Sequence, residues 1–271
     1  MSALFAFSTL ACPQWTAAQI LEAASRWGYH GIEFRVVENQ TALWKLPAFR
    51  GTGLSETRYA LNTAGLKLPC LDTSAQFHSP DARERGANMD HALRMADLAA
   101  ELAAPAIRVF GDRIQPGCNR SETAAWIAES LLTLQEKIAG VAVWLETHGD
   151  FTRASEIEAI LARMGQRIPL IWDPANILLE NGEAPGESAT ALRGKIHHVH
   201  LKDFRQNGNG WEFVLPGSGE MPFDEVHAVL ERQNYDGFFS FEWEKHWYPS
   251  LAEPEVALPY FARWFRENWN S

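Results

Sequence analysis

Cysteine is scarce in this chain of 271 residues: Cys12, Cys70 and Cys118 are far apart and form no CxxC pair. An odd, scattered set builds no disulfide framework and suits a reducing compartment. No apolar run reaches the roughly 20 residues that a bilayer-spanning helix needs, which excludes a helical membrane span. Positive charge is also short, with 24 Lys and Arg against 34 Asp and Glu and a formal net charge of −10. Duplex nucleic acid calls for a basic face, so this balance argues against such a partner. No basic residue precedes Arg26, whereas a secretory signal carries one ahead of its apolar stretch. The apolar segment from Leu4 to Cys12 therefore reads as a first β-strand, and the expected location is the cytoplasm. Low-complexity segments and long Pro/Gly/Ser linkers are missing too. Nothing divides the chain, so one domain is expected over 1–271. With 46% hydrophobic residues, disorder is excluded.

What is present is an alternation. Short apolar runs at 4–9, 31–36, 68–74, 106–111, 141–148, 169–173, 196–203 and 237–242 read as eight strands. Between them lie stretches with helical spacing. Ala124, Ile127, Ala128, Leu131, Leu134 and Ile138 keep one face apolar, with Ser121 or Asn119 to cap the start and Gly140 to end the helix. Ile157, Ile160, Leu161 and Met164 do the same before Gly165, and the stretch 16–27 ends at Gly28. Further helices are expected around 89–100 and 256–268. Between Pro174 and Gly194, the residues Gly182, Pro185 and Gly186 permit only a short helix. Strands alternating with helices pair in parallel, because parallel neighbours need a crossover. Eight such units in this length match a single (β/α)8 TIM barrel of the α/β class, with a doubly wound open sheet as the other arrangement. A barrel carries its chemistry at the C-terminal ends of its strands.

Four expected strands end in residues that bind hard or borderline metal ions. The fifth ends in Glu146-Thr-His148, the sixth in Trp172-Asp173, the seventh in His198-Val-His200-Leu-Lys202-Asp203 and the eighth in Glu242. Glu146 to Asp173 and Asp173 to His200 are both 27 residues, and Glu242 follows 42 later across an extra loop, 204–222. Equal steps put equivalent positions on neighbouring staves at similar height. Alternation along each strand turns Glu146, Asp173, His200 and Glu242 inward while Leu145, Trp172, Val199 and Phe241 face the helices. Three carboxylates buried together repel one another unless a cation sits among them. The set suits one divalent ion, Mn²⁺ first and Mg²⁺, Co²⁺, Fe²⁺ or Zn²⁺ after it. Taken singly, a strand-end carboxylate is more often a helix cap and a strand histidine a bonded core residue.

Other polar residues fall near the same rim. Glu33 and Arg35 point inward by alternation, Glu33 to bind a hydroxyl or to orient Arg35. Arg108, His148, Lys202 and Arg205 are candidates for binding hydroxyls or stabilising negative charge, the alternative for each being a rim salt bridge. His198 lies one layer below His200 and reads as a support or core residue. The turn Pro216-Gly-Ser-Gly-Glu220 offers backbone N–H groups to a phosphate, although such turns more often just bend the chain. Trp144, Trp211 and Trp247 are candidates for an apolar platform under a sugar.

The segments Gly31-Ile-Glu-Phe-Arg35, Leu145-Glu-Thr-His148, Trp172-Asp-Pro-Ala-Asn176, His198-Val-His-Leu-Lys-Asp203 and Glu242 resemble the xylose isomerase-like TIM-barrel superfamily of sugar phosphate isomerases and epimerases over almost the whole chain. The resemblance implies that Glu146, Asp173, His200 and Glu242 are the metal ligands. It also implies that Glu146 and Glu242 double as catalytic acid and base. Ketose 3-epimerases often place a histidine three residues after the aspartate, where this chain has Asn176, a substrate contact by implication. The implied activity is a metal-dependent isomerase or epimerase acting on a sugar or sugar-derived ketose, by proton abstraction next to a carbonyl with a metal-stabilised enediolate. The rival is a lyase on the same scaffold, a dehydratase of a keto-polyol such as inosose or dehydroshikimate. A nuclease would need more histidine ligands and a less acidic chain. The expected partner is a small carbohydrate, without nucleic acid or membrane; a homo-oligomer is left open, as is the role of Glu244-Lys245-His246-Trp247.

Overall fold

Eight strands run parallel in one sheet in the computed structural model, which describes residues 3–165, 168–208 and 210–269. They are β1 (Leu4–Ser8), β2 (Gly31–Glu33), β3 (Leu71–Gln76), β4 (Ala106–Phe110), β5 (Ala142–Glu146), β6 (Leu170–Trp172) and β7 (Ile196–Leu201). A hairpin of β8 (Asp203–Asn207) and β9 (Gly210–Val214) follows, and then the eighth sheet strand, β10 (Phe238–Phe241). Their order is β2-β1-β10-β7-β6-β5-β4-β3. The last strand thus pairs in parallel with the first, Leu4 opposite Phe238 and Phe7 opposite Phe241, as a sheet wound into a barrel requires. The helices between strands are α1 (Ala17–Trp27), α2 (Gly51–Ala64), α3 (Ala82–Leu102), α4 (Arg120–Lys137), α5 (Ala154–Met164), α6 (Pro174–Asn181), α7 (Pro185–Ala191) and α8 (Phe223–Arg232), and α9 (Pro254–Trp269) follows the last strand. The fold is the (β/α)8 barrel, and none of its described helices is long and apolar enough to cross a membrane.

By internal contacts the chain forms two compact units, one of residues 1–69, 198–227 and 236–271, the other of 70–197 and 228–235. The first unit is built on aromatic packing. On β10, Phe241 stacks on Phe261 of α9 at 4.4 Å, and Phe239 meets Trp269 at 4.5 Å. On β1, Phe5 packs on Phe265 at 5.0 Å. Each such pair adds about 0.5–1.5 kcal/mol beyond area burial. Because Phe239 and Phe241 face the helix, Ser240 and Glu242 face the other way. The extra loop contains the β8–β9 hairpin, which the sequence pattern does not announce. Its return stretch is tied down by Asp203, whose carboxylate accepts the N–H groups of Phe204, Gly217, Gly219 and Met221 at 2.8–3.0 Å. The turn at 216–220, where a phosphate cradle is the less favoured reading, thus has its Gly217 and Gly219 amides engaged by the protein's own anion. A Cβ on Gly219 would stand 2.4 Å from Asp203 Oδ1 and 2.3 Å from the Phe204 carbonyl, so only glycine permits this approach.

The second unit carries α3 to α7. Asn119 caps α4 by accepting from the Glu122 N–H at 3.0 Å; the helix ends at Lys137, so Gly140 stands beyond it. Gly165 ends α5 in the left-handed conformation. Trp172 donates its indole N–H to Ser188 of α7 at 3.2 Å, fixing the outward face of β6. Trp144 lies in a buried cluster with Cys70, Ala106 and Ile171, so it is barrel core and no sugar platform. The stretch 174–194 holds two short helices, α6 and α7, rather than one.

His30 gives the first unit a pH dependence. Its Nδ1 accepts the Phe5 backbone N–H at 3.2 Å, which requires an unprotonated nitrogen. Burial first, and Arg266 second, push this imidazole below its ordinary value of 6.5. The unfolded chain therefore takes up the proton at higher pH than the folded one. Stability from this group is present above pH about 6.5 and is lost as pH falls toward the folded value. We expect the urea midpoint of the wild type to drop between about pH 7.5 and pH 5 more than that of His30→Asn, which keeps an acceptor but does not titrate. Parallel pH profiles of the two proteins would overturn this.

Candidate active site

In the second unit β3, β4 and the ends of β5 and β6 bring charges together. Arg108 on β4 is buried and donates through Nη1 to Glu146 Oε2 at 2.8 Å. Its Nε lies 3.5 Å from Asp72 Oδ1 on β3, and its guanidinium stands over the Phe110 ring. Arg108 thus sets one positive charge between two buried carboxylates. Asp173 follows β6 and is fully buried. Its Oδ1 accepts the Asn176 N–H at 2.9 Å, capping α6, and its own N–H donates to Thr147 Oγ1 at 2.9 Å. Asn176 also donates through Nδ2 to the Thr147 carbonyl at 3.4 Å. His148 lies at the edge with Nδ1 3.5 Å from Asp112 Oδ1 and its ring against Phe110.

In the first unit the ends of β2, β7 and β10 form a second polar group. Glu33, His198 and His200 are fully buried. His198 Nε2 lies 3.2 Å from Glu33 Oε2, and His200 Nε2 lies 3.0 Å from Glu33 Oε1. Burial alone would raise the Glu33 carboxyl, but the His200 and His198 imidazoles outweigh it and hold it well below the usual carboxylate range. Glu33 is thus a partner of two imidazoles. His200 Nδ1 faces Glu242 Oε1 at 3.4 Å. Lys202, also buried, donates to Glu242 Oε2 at 2.6 Å and to Glu244 Oε1 at 2.8 Å.

The remaining candidates are more dispersed. Arg35 is buried, with its backbone N–H on Thr9 Oγ1 at 2.8 Å. Its charge reaches His246, whose imidazole is lowered by burial first and by Arg35 second. Arg205 sits on the exposed hairpin face and pairs with Glu212 at 2.6 Å. Trp211 and Trp247 are exposed, Trp211 packing against Phe213 and Tyr248. A cavity of about 800 Å³ between α1 and the start of α2 is lined by none of the candidate site residues. The roles of Asp72 and Glu244 do not stand out in the sequence. Glu244 shares the parity of Glu242 two residues on, and that is the signal that would have found it.

The donor chemistry fits a divalent ion. Glu146, Asp173, His200 and Glu242 are buried oxygen or nitrogen donors, without a thiolate among them. Carboxylate oxygens carry more than one lone pair, so the contacts just described leave them able to ligate as well. A parallel αβ barrel with buried carboxylates and imidazoles at its strand ends defines a (β/α)8 protein of enzyme type. The chain belongs to the xylose isomerase-like TIM barrel family, whose pattern it matches over residues 21–268.

Among curated relatives, an inosose dehydratase from Bacillus anthracis is 35% identical over 108 residues, covering 34% of this chain and 35% of that protein. The match thus spans about a third of the relative's length. Among solved structures, the probable 3-DHS dehydratase AsbF from Bacillus anthracis superposes with a TM-score of 0.78 at 18% identity, covering 98% of this chain and 100% of that one. IOLI protein with a bound zinc atom gives 0.77 at 16%, covering 98% and 97%. D-psicose 3-epimerase in the presence of D-fructose gives 0.77 at 16%, covering 100% of both chains. At these identities the structures report the fold.

Proposed function

We propose that the chain, acting as one domain over 1–271, is a metal-dependent enzyme that removes a proton next to the carbonyl of a small keto-polyol or ketose. Glu146, Asp173, His200 and Glu242 would hold one divalent ion, Mn²⁺ being the first choice for three carboxylates and an imidazole. When bound, such an ion supplies Lewis acidity toward a carbonyl oxygen. The observation that carries the reading is the matched setting of two buried glutamates, Glu146 with Oε2 on Arg108 and Glu242 with Oε2 on Lys202. Each cation donates to its glutamate and fixes the orientation of the carboxyl group, as a positioned acid or base requires. One glutamate takes the carbon-bound proton, and the electron pair moves toward the carbonyl oxygen. If the second glutamate, entering the cycle protonated, gives its proton to a β-hydroxyl, the electron pair returns from the carbonyl oxygen, the C–O bond breaks and water leaves with formation of a C=C bond, the first glutamate keeping the proton it took. If it gives that proton instead to the neighbouring carbon, or to the same carbon from the opposite face, the outcome is isomerisation or epimerisation.

The curated relatives at 32–35% identity are inosose dehydratases, and this favours water loss. The pair of similarly held glutamates equally serves inversion at one carbon, which is the second reading. Arg35, His148 and Asn176 are assigned to substrate hydroxyls, whereas Arg108 and Lys202 chiefly hold the glutamates. Arg205, on the exposed hairpin, is left outside the pocket. The cytoplasm remains the proposed location. Incubation with a panel of keto-polyols and ketoses in D₂O tests the scheme. Dehydration yields a conjugated enone absorbance and loss of water from the mass; isomerisation or epimerisation yields deuterium uptake without it. Exhaustive chelation is expected to abolish either outcome, and Mn²⁺ to restore it. Full turnover after chelation would overturn the metal dependence.

A further inference from the structure

Glu33 joins two buried histidines, and neither Glu33 nor His198 has a role in the scheme above. Both Glu33 oxygens face an imidazole Nε2, at 3.2 Å from His198 and 3.0 Å from His200, and all three side chains are fully buried. A carboxylate only accepts hydrogen bonds, so each contact requires a proton on Nε2. For a neutral His200 ring this leaves Nδ1 as an acceptor, and Nδ1 faces Glu242 Oε1 at 3.4 Å. An Nδ1 lone pair turned toward a carboxylate oxygen suits a cation held by both.

We infer that Glu33 is a positioning residue: it fixes His200 with its proton on Nε2 and thereby makes Nδ1 the metal-ligating atom. The inference rests on the metal reading above. In this role Glu33 acts through His200. It acts as the outer carboxylate of a carboxylate–histidine–metal relay, in which the hydrogen bond on one ring nitrogen sets tautomer, orientation and basicity at the other. His198, held by the second oxygen, braces Glu33 against rotation, since the two bonds fix the plane of the carboxylate.

The test uses the full chain loaded with Zn²⁺ as a diamagnetic probe. In the ¹⁵N-labelled wild type, nitrogen–proton correlation spectra of the imidazoles should show His200 with a proton on Nε2 and zinc on Nδ1. Zinc on Nε2, or a proton on Nδ1 in the loaded protein, overturns the inference. Glu33→Gln replaces one acceptor by an amide N–H₂, so one of the two rings loses its partner or must change tautomer. Its Zn²⁺ dissociation constant, measured by chelator competition, should rise about 10–100-fold. His198→Gln keeps a donor toward Glu33 Oε2, and its affinity for zinc should fall less. Equal losses in the two variants, or no loss in Glu33→Gln, overturn the positioning role. A wild type that binds Zn²⁺ normally while Glu33→Gln does so equally sinks this inference alone. A wild type that binds no divalent ion sinks the metal reading and this inference with it. Should Glu33→Gln fail to fold, the wild-type spectrum still decides.

Discussion

Replacing either glutamate by glutamine, Glu146→Gln or Glu242→Gln, is expected to reduce turnover by roughly 10²–10⁴-fold, the usual contribution of a positioned acid or base. The substitutions are nearly isosteric, so what they remove is charge. Arg108 Nη1 can still donate to an amide oxygen at position 146, and Lys202 to one at position 242, so the surrounding hydrogen bonds have acceptors. An amide neither takes the carbon-bound proton nor returns one. The two variants should differ in a telling way. The one that loses the base should show no exchange of the substrate's α-hydrogen with D₂O. The one that loses the second group should retain exchange while product formation stops. Zinc or manganese affinity should fall in both, because each glutamate is also an assigned ligand. Wild-type exchange and turnover in both variants would remove the glutamates from the chemistry and with them the proposed reaction class.

The barrel was legible because it rests on period. Alternation of apolar strands with helical stretches placed all eight sheet strands, and parity gave the inward direction of Glu242, borne out by the stacking of Phe241 and Phe239 on α9. Left-handed glycines ended α1 and α5 as read. What escaped was local structure that lacks a strong apolar stripe. Helix α2 buries only Thr57 and Leu61 along its length and contains two glycines, so its pattern is faint. The β8–β9 hairpin is exposed along much of its length and has little core to pattern its strands. At the site, sequence names residue types at strand ends but not the pairing among them. Parity puts Glu33, His198 and His200 inside, yet only coordinates reveal that Glu33 spends both oxygens on imidazoles. Likewise Asp173 turns out to cap α6 with one oxygen, the commoner role of a strand-end carboxylate, without ceasing to be a donor.

Arg108→Met is expected to destabilise the protein by about 3–5 kcal/mol, the cost of stripping the cation from a buried ion pair. The guanidinium is about as buried as a side chain can be, at 4% exposure, against 1% for Glu146 and 0% for Asp72. Without it, two carboxylates on the strands either side of β4 remain in a low-dielectric interior, and the repulsion between them joins the loss of the hydrogen bond to Glu146. Methionine fills much of the volume, so a cavity contributes little and the charge effect dominates. For a chain of this size the thermal midpoint should fall by about 10 °C. Adding Asp72→Leu to Arg108→Met removes one of the stranded charges and should recover part of that loss, whereas Asp72→Leu alone should be destabilising, since it leaves Arg108 with one anion fewer. A divalent ion should also raise the midpoint of Arg108→Met more than that of the wild type, because it would restore a positive charge beside Glu146. If Arg108→Met instead melts within about 2 °C of the wild type, the guanidinium is no counter-charge for Glu146. The matched setting of the two glutamates, on which the proposed chemistry leans, would then lose one of its halves.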